Sequence, residues 1–388
     1  MLMIIKLFAF FMLLMGLPDW YIYQTRIRQL KRKWIKIAYW IPTLCFFIAM
    51  VLILFTHEPR PQAMNRLSIF LIIFLCVNVP KAIFSIFSLL LRFISRKINH
   101  EFYESYIALI LAVLTGGYII YGSTEGKQHF QVNEISLSYP NLPEGFDGYQ
   151  IALIADIHTG SWTGNVPAIE RAVKMVNGCN ANLILFAGDL VNNLATELDE
   201  FMPALSQLKA PDGVYSILGN HDYSPYIHWK TEAEKQANLD ALIERQAQMG
   251  WKLMMNTHDM LVHNGDSIAL IGVENTGYPP FPDMGDLPKA MKGTEGMFQI
   301  LMSHDPTHWR REVLGNTDIE LMVAGHTHAM QTKIGSFTPA QFVNREYMGL
   351  YSENGQDLYV NIGLGHTMFP MRLGAWPEIT LITLHTKK

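Results

Sequence analysis

Charge is scarce in this sequence. Only 16% of its 388 residues are Asp, Glu, Lys or Arg, against roughly a quarter in an average soluble domain, while 49% are hydrophobic. That composition excludes a disordered or fibrous chain and argues against a wholly soluble enzyme. Cysteine is scarcer still: Cys45 and Cys76 sit in apolar runs, and Cys179 stands alone beyond them. No internal disulfide is available to the region holding Cys179, which leaves its redox compartment open. The chain shows no internal repeat and no low-complexity tract. Its first apolar run lacks a small-x-small cleavage site, continuing instead as Gly16-Leu17-Pro18-Asp19-Trp20-Tyr21. That run, 1–17, is expected to stay as a helix and not to be removed as a signal peptide.

The charge that is present divides unevenly. Residues 1–127 hold 14 Lys and Arg against 5 Asp and Glu, a net of +9, and the rest hold 16 against 29, a net of −13. Twelve of the 14 histidines lie in the acidic part. A basic apolar region and an acidic, histidine-rich one imply two solvents, membrane and water. The second region, about 260 residues, is long enough for one domain with its own core.

A helix crosses the roughly 30 Å hydrocarbon core with about 20 apolar residues. Residues 1–17, 37–55, 67–91 and 106–122 meet that need, so about four spans are expected in a transmembrane region 1–122, followed by a polar linker 123–129. The third contains Asn78, Pro80 and Lys81; the fourth contains Gly116-Gly117, a pair that lets helices pack closely in lipid. Lys81 reads as a functional intramembrane charge, or as a side chain that snorkels or faces the bundle interior. The loops set orientation. Arg26, Arg28, Lys31, Arg32, Lys33 and Lys36 precede the second span, and Arg92, Arg96 and Lys97 follow the third. The loop between has only Arg60 and Arg66, opposed by Glu58. Positive loops remain cytoplasmic, which puts everything after Gly122 on the opposite side.

Residues 130–388 read as a single domain. Short apolar runs at 150–155, 182–187, 213–218, 267–273, 298–302, 319–324, 357–362 and 378–384 alternate with helical patterns at 166–176, 197–208 and 231–249. Near-continuous apolar strands between helices predict an α/β domain whose sheets are covered on both faces. Ligands in such folds bind beyond the carboxyl ends of strands. Five ends here carry polar chemistry: Asp156-Ile157-His158, Gly188-Asp189, Gly219-Asn220-His221-Asp222, Ser303-His304-Asp305 and Gly325-His326-Thr327-His328.

Carboxylate and imidazole together suit divalent Mn, Fe or Zn. In extended backbone residues i and i+2 point the same way, so Asp156 with His158, and His326 with His328, would each enter one site as a pair. Several acids around one site repel unless cations balance them. Two metals bridged by a carboxylate clamp the attacking and leaving oxygens of a displacement at phosphorus. Taken singly, Gly188-Asp189 is an ordinary turn; all five motifs in order carry the reading. For the lone histidine, His258, His263 and His308 compete with His304 but sit in polar or helical contexts, and His228 and His366 read as peripheral. Arg372, in the turn 370–374, reads as a bidentate contact to a substrate phosphate or as a structural salt bridge.

The ordered series Asp-x-His, Gly-Asp, Gly-Asn-His-Asp, a later lone His and Gly-His-Thr-His resembles that of the calcineurin-like metallophosphoesterases, from about Phe130 to Leu384. The phrases LPEGFDGYQIALIADIH and GLGHTMFPMRLGAWPEITLITL look like the family's bacterial membrane-linked branch. The resemblance implies two mixed sheets packed between helices (αββα) and two divalent metal ions, Mn foremost, with Fe or Zn as alternatives. It implies that Asp156, His158, Asp189 and His328 hold one ion, that Asp189 bridges, and that Asn220, His304 and His326 complete the second site. His221 would donate a proton or hydrogen bond to the leaving oxygen, Asp222 would orient it, and a metal-bridging hydroxide would attack phosphorus in line. Many relatives have Gly-Gly-Gln after the last motif where this chain has Ala329-Met330-Gln331, so the pocket is expected to be narrowed or covered, or the loop to shift. Residues 223–249, with Tyr223, Tyr226 and Trp229, read as a lid beside His221 or as an amphipathic helix with its leading loop.

The function expected is that of a membrane-anchored dimetal phosphohydrolase in a bacterial inner membrane. Its substrate would be a phosphodiester, phosphomonoester or pyrophosphate, small or lipid-linked, outside the cytoplasm, with membrane lipid as a further partner. An activity like that of the UDP-diacylglucosamine hydrolases needs a nucleotide on the domain's side, which the topology opposes. A nuclease is opposed by the net −13, and no nucleic-acid partner is expected. A membrane sensor or transporter would bind metal without turnover, and would have no use for His221 as a proton donor.

Overall fold

The computed structural model describes residues 2–55, 61–95 and 101–387. Met1 and the loop residues Glu58, Arg60, Arg96 and Lys97 used above lie outside that set. The chain divides into two units at Glu125, residues 369–371 apart.

The first unit is helical: α1 (Leu2–Ile22), α2 (Lys33–Ala38), α3 (Ile41–Phe55), α4 (Pro61–Ser95) and α5 (Glu101–Thr124). The expected spans fall on α1, α3, α4 and α5, and α5 runs two residues into the stretch read as linker. Among the described residues, three segments are long and apolar enough to cross a membrane: Lys33–Ile53, Arg66–Ile94 and Ser105–Gln128. Burial is inverted relative to a water-soluble bundle. Leu13, Leu17, Ile69, Ile86, Leu109 and Val113 are exposed, while Asp19, Asn78 and Ser88 are buried. Lipid is as apolar as leucine, so polar groups gain most by turning inward. Gly116 meets the packing expectation, since a side chain there would press on Pro80 at 3.3 Å; Gly117 has nothing within 4 Å.

Lys81 faces the interior with a partner. Its Nζ lies 2.8 Å from Asp19 Oδ1, and the Asp19 carboxylate also accepts from the hydroxyls of Tyr39 at 3.1 Å and Thr43 at 2.5 Å. Burying an unpaired charge costs several kcal/mol, so the buried Asp19 carboxylate is tolerated through its three partners together. Asp19→Asn should therefore destabilise the detergent-solubilised chain by about 3 kcal/mol, read as a lower thermal midpoint. Adding Lys81→Met should recover part of the loss. An unchanged midpoint in the single variant would show that the pair is not structural.

The second unit comprises β1 (Gln131–Tyr139), β2 (Gln150–Ile154), α6 (Val166–Gly178), β3 (Leu183–Phe186), α7 (Met202–Leu205), β4 (Val214–Ser216), α8 (Glu232–Gln248), β5 (Lys252–Leu253), β6 (Thr257–His263), β7 (Asp266–Gly272), α9 (Leu287–Met291), β8 (Gln299–Met302), β9 (Leu321–Ala324), β10 (Gly349–Glu353), β11 (Gln356–Val360) and β12 (Glu378–Thr386). They form two mixed sheets, ordered β1-β12-β2-β3-β4-β5 and β10-β11-β9-β8-β7-β6. Alternation of side chains builds the layers. Ile151 and Leu153 of β2 enter the core between the sheets with Leu270, Ile300 and Val323. Ala152 and Ile154 pack outward with Ile169 and Val173 of α6. On the far face of the second sheet Ile271, Leu301 and Met322 pack with Trp309. This is the expected αββα arrangement.

All eight expected strands are present. The four that periodicity did not announce, β1, β5, β6 and β10, are the four sheet edges. An edge strand is half solvated, so its residues need not form an apolar run. The helix expected over 197–208 is instead a 3-10 turn, Ala195–Leu198, and the single turn α7. Pro203 lacks the N–H an interior helical position must donate.

Candidate metal centre

The site forms where β2, β3, β4, β8 and β9 end. The chain turns sharply there, and Asp156, His158, Asp189, His326 and His328 all take left-handed φ values of 49–75°. Each such residue costs about 1 kcal/mol or more, and persists where the surroundings over-determine it. The turns also need glycine: a Cβ on Gly219 would strike Asp189 Oδ1, and one on Gly325 would strike Asp156 Oδ2. This corrects the extended-pair expectation. Asp156 and His158 still meet, but His326 and His328 part, one to each of two clusters.

The first cluster is Asp156, His158 and His328. His158 Nε2 lies 3.0 Å from His328 Nε2, and Asp156 Oδ1 lies 3.7 and 3.4 Å from the two. The second is Asp189, His304 and His326. Asp189 Oδ2 is 3.2 Å from His304 Nε2, and Asn220 Oδ1 is 2.8 Å from His326 Nδ1. Asp189 Oδ2 also lies 3.5 Å from His158 Nε2, so one carboxylate serves both clusters. The Asn220 amide is turned by its Nδ2, which donates to the Tyr226 hydroxyl at 2.6 Å. His258, which contacts the Ala290 carbonyl, His263, packed on Phe146 and Tyr149, and His308, on Ser303, stay outside. So do exposed His228 and buried His366.

His221 joins His158 and Asp189 in a third overlapping group. Its Nδ1 is 2.8 Å from the Asn192 carbonyl; a carbonyl only accepts, so Nδ1 carries the hydrogen and Nε2 is the open nitrogen. Burial holds its pKa down to about 4. Asp222 does not orient it, contrary to expectation. The Asp222 carboxylate accepts from the backbone N–H groups of Asp189, Gly219, Leu190 and Val191 at 2.9–3.1 Å, which pins the Asp189 loop. Burial and the Asp189 charge push Asp222 up to about 7.

The donors fit divalent cations. Burial alone would raise Asp156 and Asp189, yet the facing imidazoles hold both below the usual carboxylate range. Burial also opposes a charge on His304, but Asp189 carries it up to about 10. Imidazole nitrogens thus crowd against the buried acids, the place a metal ion would take. His158 Nε2 and His328 Nε2 point at one another, and His304 Nε2 is buried without a hydrogen bond. His304 Nδ1 donates to the Ala187 carbonyl at 2.7 Å, the outer contact that fixes a ligating histidine's tautomer.

Arg372 is not a substrate contact in this fold, nor does it pair with a carboxylate. It is fully buried. Its guanidinium donates to the carbonyls of Ile362, Gly363, Gly365 and Ala375 at 2.6–3.0 Å and lies 3.2 Å from His328 Nδ1. Ala329, Met330 and Gln331 take φ values of 47–57°, in the left-handed region that glycine favours, despite their side chains. The 223–249 insertion is a leading loop and α8; the Tyr226 ring from that loop lies 4.5 Å from the His221 ring, tilted by 43°. The Asn192 carbonyl has no signal in sequence, since any residue supplies one.

Residues 2–127 match the family model described as probable calcineurin-like phosphoesterase, transmembrane domain. Residues 149–330 match the calcineurin-like phosphoesterase model. The second unit is a calcineurin-like metallophosphoesterase domain. Curated relatives of the chain occur in bacteria and animals. It is 30% identical over 294 residues to a "Transmembrane protein with metallophosphoesterase domain" of Danio rerio, covering 73% of this chain and 63% of that one. It is 27% identical over 285 residues to the uncharacterized metallophosphoesterase YkuE of Bacillus subtilis, covering 70% and 92%. An uncharacterized metallophosphoesterase of Campylobacter jejuni is 23% identical over the full length of both chains. The chain therefore spans less than two thirds of the Danio rerio protein.

Proposed function

We propose that this chain is a membrane-anchored, dimetal phosphohydrolase acting on a phosphate ester, a phosphodiester, phosphomonoester or pyrophosphate, of a lipid-linked or envelope-associated molecule. The observation that supports it is the meeting of two ligand clusters at one carboxylate, Asp189. Asp156, His158 and His328 would hold one divalent ion, and Asn220, His304 and His326 the other, with Asp189 between them. Such a pair supplies Lewis acidity and activates water at neutral pH. The protein's part is to fix the donors: Asp222 holds the Asp189 loop, Tyr226 turns the Asn220 amide, and Ala187 sets the His304 tautomer. His221, with its Nδ1 hydrogen on Asn192, presents Nε2 for a proton or hydrogen bond to the leaving oxygen.

The test is hydrolysis of an aryl phosphodiester by the purified full chain loaded with Mn²⁺, lost on chelation and restored by Mn²⁺. Bound metal with no turnover on any phosphate of a broad panel would favour the sensor reading. Lys81, already paired with Asp19, does not call for a transported ion. The basic loops favour a catalytic domain outside the cytoplasm of a bacterial inner membrane. A reporter fused at the C-terminus should accordingly be inactive if it works only in the cytoplasm, and activity there would reverse the topology.

A further inference from the structure

A second feature sits on the loop that carries the last two ligands. Among the described residues after Gly126, thirteen large hydrophobic side chains are exposed, and five of them, Met330, Ile334, Phe337, Phe342 and Val343, fall within fourteen positions. Phe342 is 77% exposed, Val343 70% and Ile334 65%. Soluble surfaces rarely gather apolar side chains this way unless something covers them.

These side chains are held outward by a braced backbone. Ile334 and Phe337 exchange backbone hydrogen bonds at 2.8 and 3.1 Å across Gly335 and Ser336. Lys333 N–H donates to the Leu373 carbonyl at 2.7 Å. Buried Thr338 donates its hydroxyl to the Ala329 carbonyl at 2.7 Å, and Thr327, between the two ligand histidines, donates to the Tyr347 carbonyl at 2.6 Å. The rings of Phe337 and Phe342 lie 6.1 Å apart. Two cations flank the tips from Ile334 onward, Lys333 and Arg345; the Arg345 side chain is 72% exposed, with Nε 3.6 Å from Glu346 Oε1.

Apolar tips between basic residues match the boundary of a bilayer, where hydrocarbon meets anionic headgroups. The same chain supplies that bilayer: α5 ends at Thr124 and β1 begins at Gln131, a connection of about 20 Å at full extension. We propose that residues 330–345 form a membrane-docking lip. Ile334, Phe337, Phe342 and Val343 enter the headgroup–acyl boundary, and Lys333 and Arg345 meet anionic headgroups. Docking would bring the His326–His328 loop to the depth at which an amphiphilic phosphoester presents its phosphate. The docking itself does not depend on turnover.

The experiment uses the full chain with Cys45, Cys76 and Cys179 replaced by serine and a single new cysteine, F342C or I334C, carrying an environment-sensitive fluorophore. It is reconstituted in phosphatidylcholine–phosphatidylglycerol vesicles, with Glu232→Cys on exposed α8 as reference. Lipids spin-labelled near the headgroup should quench position 342, and independently 334, at least about threefold more strongly than position 232, with blue-shifted emission. Quenching at 342 and 334 no greater than at 232 would overturn the proposal. So would efficient 342–342 cross-linking with concentration-dependent emission, since the patch would then be covered by a second copy of the chain. Both labelled positions are exposed, so neither substitution disturbs the core.

Discussion

Asp189→Ala is expected to abolish hydrolysis and to empty both metal positions. Asp189 Oδ2 is the one carboxylate oxygen within 3.5 Å of histidine nitrogens in both clusters among the described residues, and Oδ1 accepts from the His221 backbone N–H at 2.8 Å. Its removal takes the shared ligand from two ions at once and leaves two imidazole groups without the charge that balances them. Turnover should fall by on the order of 10³ or more, and bound Mn²⁺ should drop from about two per chain towards none. Asp189→Asn, which keeps an oxygen but loses the charge, should retain some metal with poor turnover. Metal analysis alongside the rate separates lost ligation from lost chemistry. An alanine variant that keeps its Mn²⁺-dependent rate would overturn the dimetal assignment.

Arg372→Leu should produce the second large effect, on stability and metal content together. The wild-type guanidinium satisfies carbonyls of four residues in a segment that wraps the first cluster. The Gly363 carbonyl keeps the Glu378 N–H at 3.1 Å, so three carbonyls lose their donor; at about 1–3 kcal/mol for each left buried, the loss is about 3 kcal/mol or more. At about 2–4 °C per kcal/mol for a domain of this size, the unfolding midpoint should fall by about 10 °C. His328 loses its neighbour in the same step, so metal in the first cluster should weaken as well. Arg372→Lys keeps the charge but not the planar fork of donors, and should lie between. A substrate-contacting arginine would behave otherwise, raising KM while leaving the midpoint in place. That outcome would restore the phosphate-contact reading and end the strut reading.

How much of this was legible in the sequence depends on the range of the interactions involved. The ligand motifs lie within two to four residues of strand ends, and buried strands announce themselves as continuous apolar runs. Residue type and local position therefore put Asp156, His158, Asp189, Asn220, His304, His326 and His328 among the candidates, and the family resemblance singled them out. The edge strands were silent because half their residues face water. The direction in which each ligand points was silent too, because the left-handed turns at Asp156, Asp189 and His326 depend on glycines and hydrogen bonds from other strands. His326 and His328 go to separate clusters for that reason, the division the family resemblance implied.

The membrane half shows the same division. Apolar length and the Gly-Gly pair mark the helices, but nothing near Lys81 names Asp19, 62 positions away. Asp222 is in the right motif with another task, because its four donors come from backbone N–H groups that any residue could carry. Scarce charge, split between a basic apolar half and an acidic histidine-rich one, pointed to two solvents, and the motifs at the strand ends pointed to a metal-binding chemistry. Which charges pair, which arginine is buried as a strut and which loop exposes its apolar side chains were decided only by tertiary structure. Those outcomes turn on desolvation and hydrogen-bond geometry between residues far apart in the chain, and neither is a property of any single segment.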